Sequence, residues 1–383
     1  PELYYEDTMA GGKDLNDPAL LQVLTEQSAP ALAWLETLGA DLSEVGRSGG
    51  QSVNRIHKGP EGMPVGTHLM EIFTNNVEEL GIDVRLYTKA VELLHEGNQV
   101  TGVKVEYKDG QSYEIRSKAV VLATGGFGAN PGLVETYNEE LRGFGTTNSP
   151  GATGDALTLV EPLDVGLTDI EQIQTHPTVV PHVNEMITEG VRGDGAILIN
   201  RAGERFTDEL LTRDVVSQAI LAQEGGTAFL VLDSTVFGAA STYQDYLDQG
   251  YLKEGATLAD IAEIIGCDPA ALEASVTAYN ESVEAGSDAE HGRTSLDVTL
   301  SEAPFYTVEI APAIHHTMGG VSIDPSGEVL HADGTPVDGL FAAGEVTGGV
   351  HGGNRIGGNA VTDIVVFGKI AGQSAVEFVQ NME

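Results

Sequence analysis

The chain has 383 residues, which is enough to bury a sizeable core and predicts two domains or one large interrupted domain. Its 58 acidic and 19 basic residues give a formal net charge of −39, and so acidic a surface argues against nucleic acid and anionic membranes as partners. A single cysteine, Cys267, rules out an intrachain disulfide, a Cys-ligated iron–sulfur cluster and a CxxCH haem attachment within these residues, and no apolar run reaches the roughly 18 residues of a membrane span.

The first third of the chain is predicted to combine helices with a β-meander. Helical periodicity covers residues 17–38 and 68–80, and a glycine-bearing loop at 46–57 lies between them. Short β-rich segments follow, separated by turns at 97–98 and 109–110, which is typical of a meander. Its predicted strands are residues 84–87, 90–95, 100–107 and 112–116.

Two glycine turns come next. Residues 119–122 predict a buried strand that runs into Ala123-Thr124-Gly125-Gly126, a turn through which backbone can approach a ligand closely. Residues 149–155 form a second glycine loop before a helix. Asp155, at its end, has two interpretations of equal weight, a ligand contact or a solvated N-cap.

The middle of the chain, residues 172–312, lacks such glycine loops. It predicts strands at 196–200, 205–206 and 228–233, and helices at 214–223, 258–265 and 269–284. From His315 onward the glycine loops return. The sequence therefore predicts an insertion, residues 172–312, between two parts of one nucleotide-binding domain, residues 1–171 and 313–383.

The segment with the clearest chemistry is GLFAAGEVTGGVHGGNRIGGNA at residues 339–360. Its apolar start, residues 340–343, predicts a buried strand that enters a glycine-rich turn, and the apolar residues 360–370 predict a helix packed on that turn. Backbone N–H groups in such a turn can approach an anion, and Glu345 and Arg355 lie in or beside it. In so acidic a chain, an arginine within a motif is informative about an anionic substrate.

Three motifs carry a family resemblance: residues 339–360, HHTMGGVSID at 315–324 and TEGVRGDGAILINRAGERF at 188–206. With PELYYEDTMAGG at the start, they resemble the flavoprotein of the fumarate reductase and succinate dehydrogenase family, closest to the soluble flavocytochrome c type. The resemblance implies an α/β fold in which an interrupted, Rossmann-like FAD-binding domain holds an inserted α+β capping domain. It also implies non-covalent FAD, no metal site, a dicarboxylate substrate and a role in anaerobic electron transport.

The resemblance assigns roles to individual residues. Fumarate would be reduced to succinate by hydride transfer from N5 of reduced FAD and by a proton from Arg213, which Glu189 and Arg192 would restore. Glu189 and Arg192 are three residues apart, a spacing that permits contact if the segment turns helically. The implied substrate ligands are His176, Thr188, His315, Arg355 and Gly358. The implied cofactor contacts are Val91, Ala123, Thr124, Gly125, Asp155, His316, Gly344, Glu345, Ala360 and Val361, with His316 carrying or donating positive charge near the flavin pyrimidine.

Other interpretations stay open. A related branch of the family reduces urocanate or acrylate, although His176 and Glu189 keep the dicarboxylate pattern. The chain could instead be a flavin-binding electron-transfer module, against which the set Arg213, Glu189 and Arg192 argues. Each of these residues alone could also be structural, as a buried histidine or a member of an ion-pair cluster. The sequence does not choose between a periplasmic and a cytoplasmic location.

The start of the chain departs from the family pattern. The family begins its FAD domain with a strand, a GxGxxG turn and a helix that holds the pyrophosphate, and no such turn precedes Ala10. We expect this unit, and any haem or FMN domain that donates electrons, to lie outside these 383 residues. We also expect the 383 residues alone to retain FAD incompletely, because the phosphates would lack their helix N-terminus.

Overall fold

The computed structural model describes residues 1–46, 48–60 and 63–382. They form two compact units. Unit 1 comprises Pro1–Arg142, Asn148–Ile173 and the residues from His316 onward, and unit 2 comprises Gly143–Thr147 and Gln174–His315. Each unit has its own hydrophobic core. Among the described residues, no helix combines the length and apolar character that crossing a membrane requires.

In the described residues the helices are, in chain order, α1 Glu2–Gly11, α2 Pro18–Thr37, α3 Val65–Glu79, α4 Pro131–Tyr137, α5 Asp155–Val160, α6 Gly190–Gly193, α7 Arg213–Leu221, α8 Ser234–Phe237, α9 Thr242–Asp248, α10 Leu258–Ile265, α11 Pro269–Ala285 and α12 Asn359–Asn381. The strands are β1 Glu44–Gly46, β2 Ile56–Lys58, β3 Thr88–Glu96, β4 Gln99–Tyr107, β5 Ser112–Arg116, β6 Val120–Leu122, β7 Leu167–Thr168, β8 Ile173–Val180, β9 Glu185–Met186, β10 Ile197–Ile199, β11 Ala228–Asp233, β12 Lys253–Gly255, β13 Phe305–Thr317, β14 Gly320–Val321, β15 Glu328–Leu330 and β16 Pro336–Ala342.

Helices α2 and α12 form one side of the core of unit 1. Asp17 caps α2, because its side chain accepts hydrogen bonds from the backbone N–H groups of Ala19 and Leu20 at 2.8 and 3.1 Å. Pro18 then occupies the first helical turn, where its missing N–H costs nothing. The buried leucines of α2, such as Leu21 and Leu24, recur at helical spacing. The predicted helices at 17–38 and 360–370 are therefore confirmed, and α12 extends the second one by more than two turns.

The β-meander is confirmed for three of its four predicted strands. Strands β3, β4 and β5 pair antiparallel in that order. The prediction of a strand at 84–87 is wrong. Tyr87 has a φ of 57°, which interrupts an extended backbone, and Val84 and Leu86 are exposed. With no neighbouring strand among the described residues, this apolar segment remains irregular.

A short sheet in the order β15-β16-β6 positions the glycine turns of unit 1. Strands β16 and β6 are parallel, with Leu340 opposite Val120 and Ala342 opposite Leu122. Since the carboxyl ends of parallel strands meet at one edge of a sheet, the turns that begin at Ala123 and Ala343 lie side by side. Helix α12 begins after the second of these turns, so all three features share one end of the sheet.

Unit 2 is built on a six-stranded sheet in the order β10-β11-β13-β8-β9, with β12 also paired to β13. All six residues of β11 are buried, because the core of unit 2 includes side chains from helices α7, α10 and α11. Helix α10 begins with a capping box between Thr257 and Asp260. The predicted strand at 228–233 and helix at 258–265 are confirmed. Of the predicted pair at 196–200 and 205–206, only β10 and an isolated bridge between Ile199 and Arg205 form.

Candidate functional site

Larger residues are disfavoured in the glycine turns of unit 1, by a positive φ at Gly125 and Gly344 and by close contacts at Gly126. Gly125, after β6, has a φ of 74°, and Gly344, after β16, has a φ of 81°. A Cβ at Gly126 would lie 2.1 Å from Thr317 Oγ1 and 2.5 Å from Glu345 Oε1. Ala123 and Thr124 are exposed. The accessible main chain of Ala123–Gly125, at the end of β6, is therefore available to a ligand that contacts backbone.

Beside these turns lies a buried group that we call the His316 cluster, formed by His316, Thr317, Glu345, His351 and Asp363. His316 Nδ1 lies 3.3 Å from Glu345 Oε2, and the Thr317 N–H donates to Glu345 Oε1 at 2.9 Å. His351 Nε2 lies 3.1 Å from Asp363 Oδ2. The two imidazole rings meet edge to face, with centroids 5.4 Å apart. The two neighbouring imidazoles are thus flanked by one carboxylate on each side, Glu345 and Asp363.

The charge states of this cluster follow from burial. Burial lowers the pKa of His316 to about 4, although Glu345 partly offsets it. Burial would raise the pKa of Glu345, but His316, the Thr317 N–H and Arg355 together lower it to about 2. At neutral pH His316 is therefore a neutral imidazole that donates Nδ1–H to an ionised Glu345. Its Nε2 is then an acceptor, and it has no partner among the described residues.

These values predict how the stability of unit 1 depends on pH. Protonation of His316 is unfavourable in the folded chain, so the free energy of unfolding should fall by on the order of 3 kcal/mol as the pH drops from about 6.5 to about 4. Glu345 adds a further loss only below its ordinary pKa. Urea unfolding followed by fluorescence of the single tryptophan, Trp34, which lies in unit 1, measures this at each pH. His316→Gln should flatten the curve between pH 6.5 and 4, and the exposed His95→Gln should not. An unchanged curve for His316→Gln would contradict the assignment.

The loop before α12 holds the predicted ligands of the carboxyl-terminal part. Arg355 is buried, and its Nη1 donates to the carbonyl of Ile356 at 3.2 Å. Gly358 is the N-cap of α12 with a φ of 85°, and a Cβ there would lie 3.1 Å from Ile56 Cδ1. Ala360 and Val361 form the first helical turn, where the N–H groups and the helix dipole favour an anion. A cavity of about 260 Å³ adjoins this turn, with Gly358 and Val361 in its lining.

Two predicted cofactor residues lie elsewhere in unit 1. Val91 is on β3 and is 40% exposed. Asp155 is the first residue of α5, and its carboxylate lies 3.1 Å from Lys89 Nζ. The alternative of an N-cap aspartate is wrong, because Gly154 occupies the N-cap position with a φ of 75°. Asp155 is therefore available to a ligand only in competition with Lys89.

Unit 2 holds a second buried group, which we call the Arg213 cluster: Arg213, Glu189, Arg192 and Gln174. Arg213 Nη2 lies 3.1 Å from Glu189 Oε2, and Arg192 Nη2 lies 3.2 Å from Glu189 Oε1. Arg213 Nη1 also donates to Gln174 Oε1 at 3.2 Å. The spacing of three permits the contact between Glu189 and Arg192 because the segment turns into helix α6. One carboxylate thus bridges two guanidinium groups.

A further layer of buried charge supports this cluster. Arg192 is 1% exposed, and burial lowers its pKa although Glu189 opposes the shift. Its Nη1 donates to the backbone carbonyl of Glu209. The Glu209 side chain accepts from Arg205 Nε at 2.8 Å and Arg293 Nη1 at 3.0 Å, and Arg293 Nη2 donates to the backbone carbonyl of Arg192 at 2.9 Å. Arg192 is therefore fixed at both its main chain and its side chain.

The remaining predicted ligands also lie in unit 2. His176 and His315 have ring centroids 5.2 Å apart. The Thr178 N–H donates to His176 Nδ1 at 3.3 Å, so the neutral ring carries its hydrogen on Nε2. Thr147 Oγ1 lies 2.8 Å from His315 Nδ1. His315 and His316 are consecutive on β13, so their side chains point to opposite faces of the strand.

The structure thus brings four pairs of predicted residues into contact: Glu189 with Arg192, Glu189 with Arg213, His176 with His315, and His316 with Glu345. Sequence reasoning missed the residues that hold them. Only the spacing of four between Arg205 and Glu209 gave a local signal. The other missed residues are distant in sequence from their partners: Thr147, Gln174, Tyr243, Tyr246, Arg293, His351 and Asp363.

The residues of unit 1 fit FAD. The glycine turns offer backbone to a planar ring, and a Cβ at Gly126 or Gly358 would enter occupied space. The buried Nε2 of His316 lacks a protein partner, as does Nδ1 of His351, among the residues described. An apolar cavity with a few polar groups is the usual character of a cofactor site. At about 260 Å³ it has room for one part of a dinucleotide.

Comparison with known proteins supports the same conclusion. The family described as FAD binding domain matches residues 1–361. The chain is 43% identical over 379 residues to a fumarate reductase (cytochrome) of Shewanella frigidimarina, covering 99% of the chain and 66% of that protein. It is 42% identical to an NADH:fumarate oxidoreductase of Klebsiella pneumoniae, covering 98% and 41%. More distant relatives, at 34% identity, are an NADH:acrylate oxidoreductase of Vibrio harveyi and a urocanate reductase of Eggerthella lenta.

The fold agrees with these similarities. The open conformation of a flavocytochrome c3 fumarate reductase matches with a TM-score of 0.82 and 41% identity, over 98% of this chain and 67% of that one. The predicted fold class, an interrupted FAD-binding domain with an inserted capping domain, is confirmed. The chain spans less than two thirds of the length of the two fumarate-reducing relatives. The family match and the near-complete coverage of this chain show that it belongs to the FAD binding domain family, among the fumarate reductase flavoproteins, whose cofactor is FAD.

Proposed function

We propose that this chain binds FAD non-covalently and reduces fumarate to succinate. The observation that carries the proposal is the series of ion pairs Arg213–Glu189–Arg192. In this series the Glu189 carboxylate bridges two guanidinium groups, so a proton can pass from one to the other through it. The fumarate-reducing relatives, at 42 to 43% identity, support it. We assign residues 1–171 and 313–383 to the FAD-binding domain and residues 172–312 to the capping domain, and the two compact units support that division.

The reaction adds a hydride and a proton to the two carbons of an activated double bond. When bound, FAD supplies the hydride from its reduced form. Arg213 would donate the proton, and Glu189 would return one to it from Arg192. Arginine is a weak acid, with a pKa above about 12. Burial lowers the pKa of Arg192, and a strongly basic carbanion within hydrogen-bond reach can accept a proton from such a group.

The substrate carboxylates would be held by donors of which two, Arg355 and His176, are buried and three, Thr188, His315 and Gly358, are half-buried. In unit 1 these are the guanidinium of Arg355 and the backbone of Gly358. In unit 2 they are His176, Thr188 and His315. His176 suits this role because its neutral ring carries the hydrogen on Nε2. Charge-assisted hydrogen bonds can offset the desolvation of a carboxylate, so each end of a dicarboxylate needs such a set.

The flavin would be held by unit 1. We assign it to Val91, to the turns Ala123–Gly125 and Gly344-Glu345, to the first turn of α12 at Ala360 and Val361, and to Asp155 and His316. The structure changes the expected role of His316. A neutral His316 at pH 7 contributes a hydrogen-bonding nitrogen, not a fixed positive charge. Any stabilisation of anionic reduced flavin by this residue would require it to gain a proton on reduction.

Substrate preference tests the proposal. Fumarate should be reduced by the flavin-loaded protein with a kcat/KM at least about tenfold above that for urocanate or acrylate. A monocarboxylate leaves one buried donor set unpaired, which costs ~1–3 kcal/mol, and about 1.4 kcal/mol is already tenfold. Steady-state assays with reduced viologen and each acid measure the three values.

The same assays separate the alternatives. A preference for urocanate or acrylate would move the assignment to the branch represented by the 34% identical relatives. Oxidation of viologen by none of the three acids, with flavin fully bound, would indicate an electron-transfer module. We further propose that electrons reach the flavin from a separate redox domain or protein. The two fumarate-reducing relatives are named for different donors, a cytochrome and NADH, so similarity does not choose between them.

A further inference from the structure

We propose that Tyr243 and Tyr246, two tyrosines of helix α9, are positioning residues that fix the segment 186–194, which carries Thr188, Glu189 and Arg192. The expected effect on catalysis rests on the proposed function. The bracing itself rests on hydrogen bonds within unit 2.

Tyr246 holds the segment before Glu189. Its hydroxyl accepts a hydrogen bond from the Thr188 N–H at 3.2 Å and donates one to the Met186 carbonyl, also at 3.2 Å. The side chain is buried, with 6% of the residue exposed. Two main-chain groups on either side of Ile187 are therefore satisfied by one buried hydroxyl. Without it, the N–H of the residue assigned to substrate would lose its acceptor.

Tyr243 holds the segment after Arg192. Its hydroxyl donates to Asp194 Oδ2. Asp194 is the C-cap of α6, and its backbone N–H donates to the Gly190 carbonyl at 2.7 Å. Tyr243 thereby fixes the end of the helical turn that brings Arg192 to Glu189. Burial raises the pKa of both tyrosines, so both hydroxyls keep their protons at physiological pH.

The two tyrosines share one helix and one hydrophobic core. Their rings stack with centroids 6.4 Å apart and an interplanar angle of 19°. They lie one helical turn apart on α9 and both belong to the core of unit 2. The catalytic pair Glu189 and Arg192 lies between the two contacts. Since about 1 Å of misplacement can cost two orders of magnitude in rate, such bracing has a measurable effect.

The test compares Tyr246→Phe and Tyr243→Phe with Tyr279→Phe in the flavin-loaded protein. Tyr279 is equally buried and lies in the same unit, and its hydroxyl has no hydrogen-bond partner within the described ranges. Hydrogen exchange of peptides covering 186–194 should be faster by about 5- to 100-fold in each of the first two variants, because a buried backbone group loses its partner or its support. It should be unchanged in Tyr279→Phe.

Kinetics with fumarate then tests the catalytic consequence. Tyr246→Phe should act mainly on KM through Thr188, and Tyr243→Phe mainly on kcat through Arg192. Exchange in 186–194 that matches Tyr279→Phe would overturn the proposal, and so would faster exchange with kcat and KM unchanged. A lower thermal midpoint alone would show a purely structural role and also overturn it. A wild-type protein that does not reduce fumarate defeats the proposed function, and exchange alone then decides whether the tyrosines brace the segment.

Discussion

Replacing Arg213 with alanine is expected to lower the rate of fumarate reduction by a factor of about 10² to 10⁴, which is the usual contribution of a positioned acid. Arg213 contacts Glu189 and Gln174, and its backbone opens helix α7. Its loss removes the proton donor but leaves the residues assigned to flavin, all of which lie in unit 1. Flavin content should therefore stay near that of the wild type. Steady-state turnover and the flavin absorption spectrum of the same preparation measure the two quantities.

A matched control is Arg201→Ala. Arg201 is also in unit 2 and also forms an ion pair, with Glu309, but its side chain is 38% exposed and it contacts none of the Arg213 cluster. Such a pair contributes little, so turnover should change less than about twofold. If Arg213→Ala kept a tenth of wild-type turnover, Arg213 could not be the proton donor. The Arg213 cluster would then be a structural ion network.

Replacing Glu209 with glutamine is expected to destabilise unit 2 by about 3–5 kcal/mol, the cost of removing one partner from a buried ion pair. Glu209 is 0% exposed and accepts hydrogen bonds from Arg205, Arg293 and the Leu198 N–H. Arg205 would keep Asp288 at 2.8 Å. Arg293 would keep backbone carbonyls and the Tyr279 ring, but within the described ranges it would lose its carboxylate partner and remain a buried charge. Hydrogen exchange of the β11 amides at increasing urea concentration measures the change.

Glu204→Gln supplies the control for this experiment. Glu204 is exposed and lies five residues earlier, so its charge is solvated in both folded and unfolded chains. Its substitution should change the opening free energy of β11 by less than about 0.5 kcal/mol. A Glu209→Gln value within 1 kcal/mol of this control would mean that water or a rearranged carboxylate replaces Glu209.

Local patterns predicted the elements whose determinants are local. Helices α10 and α11 have a capping residue at the start, Thr257 or Asp268, and a glycine in the left-handed region at the end. Strand β5 and the turn at 109–110 that precedes it were likewise predicted from local sequence. Strands β8 and β13 were missed because they are buried with little alternation, so they lack the period that identifies a half-exposed strand.

The contacts of the site also fall into two groups, local contacts that the sequence predicts and long-range contacts that it does not. The contact between Glu189 and Arg192 could be predicted because three residues of helical backbone connect them. The contacts of Arg213 with Gln174 and of Arg192 with Glu209 depend on how strands and helices of unit 2 assemble. No spacing encodes them. The protonation of His316 was also beyond the sequence, because its pKa depends on how completely the fold removes water from the ring.

The pairing of Leu340 with Val120 has a consequence for synthesis of the chain. Ribosomes build proteins from the amino terminus, so β6 emerges well before β16, and the whole stretch Gln174–His315 of unit 2 is made in between. At elongation rates of about 5–20 residues per second, β6 waits roughly 10 to 45 s for its parallel neighbour. During that interval the core of unit 2 can already close, while the edge at Val120–Leu122 stays open to other strands. The backbone that would face the flavin is therefore among the last parts of the nascent chain to acquire its shape.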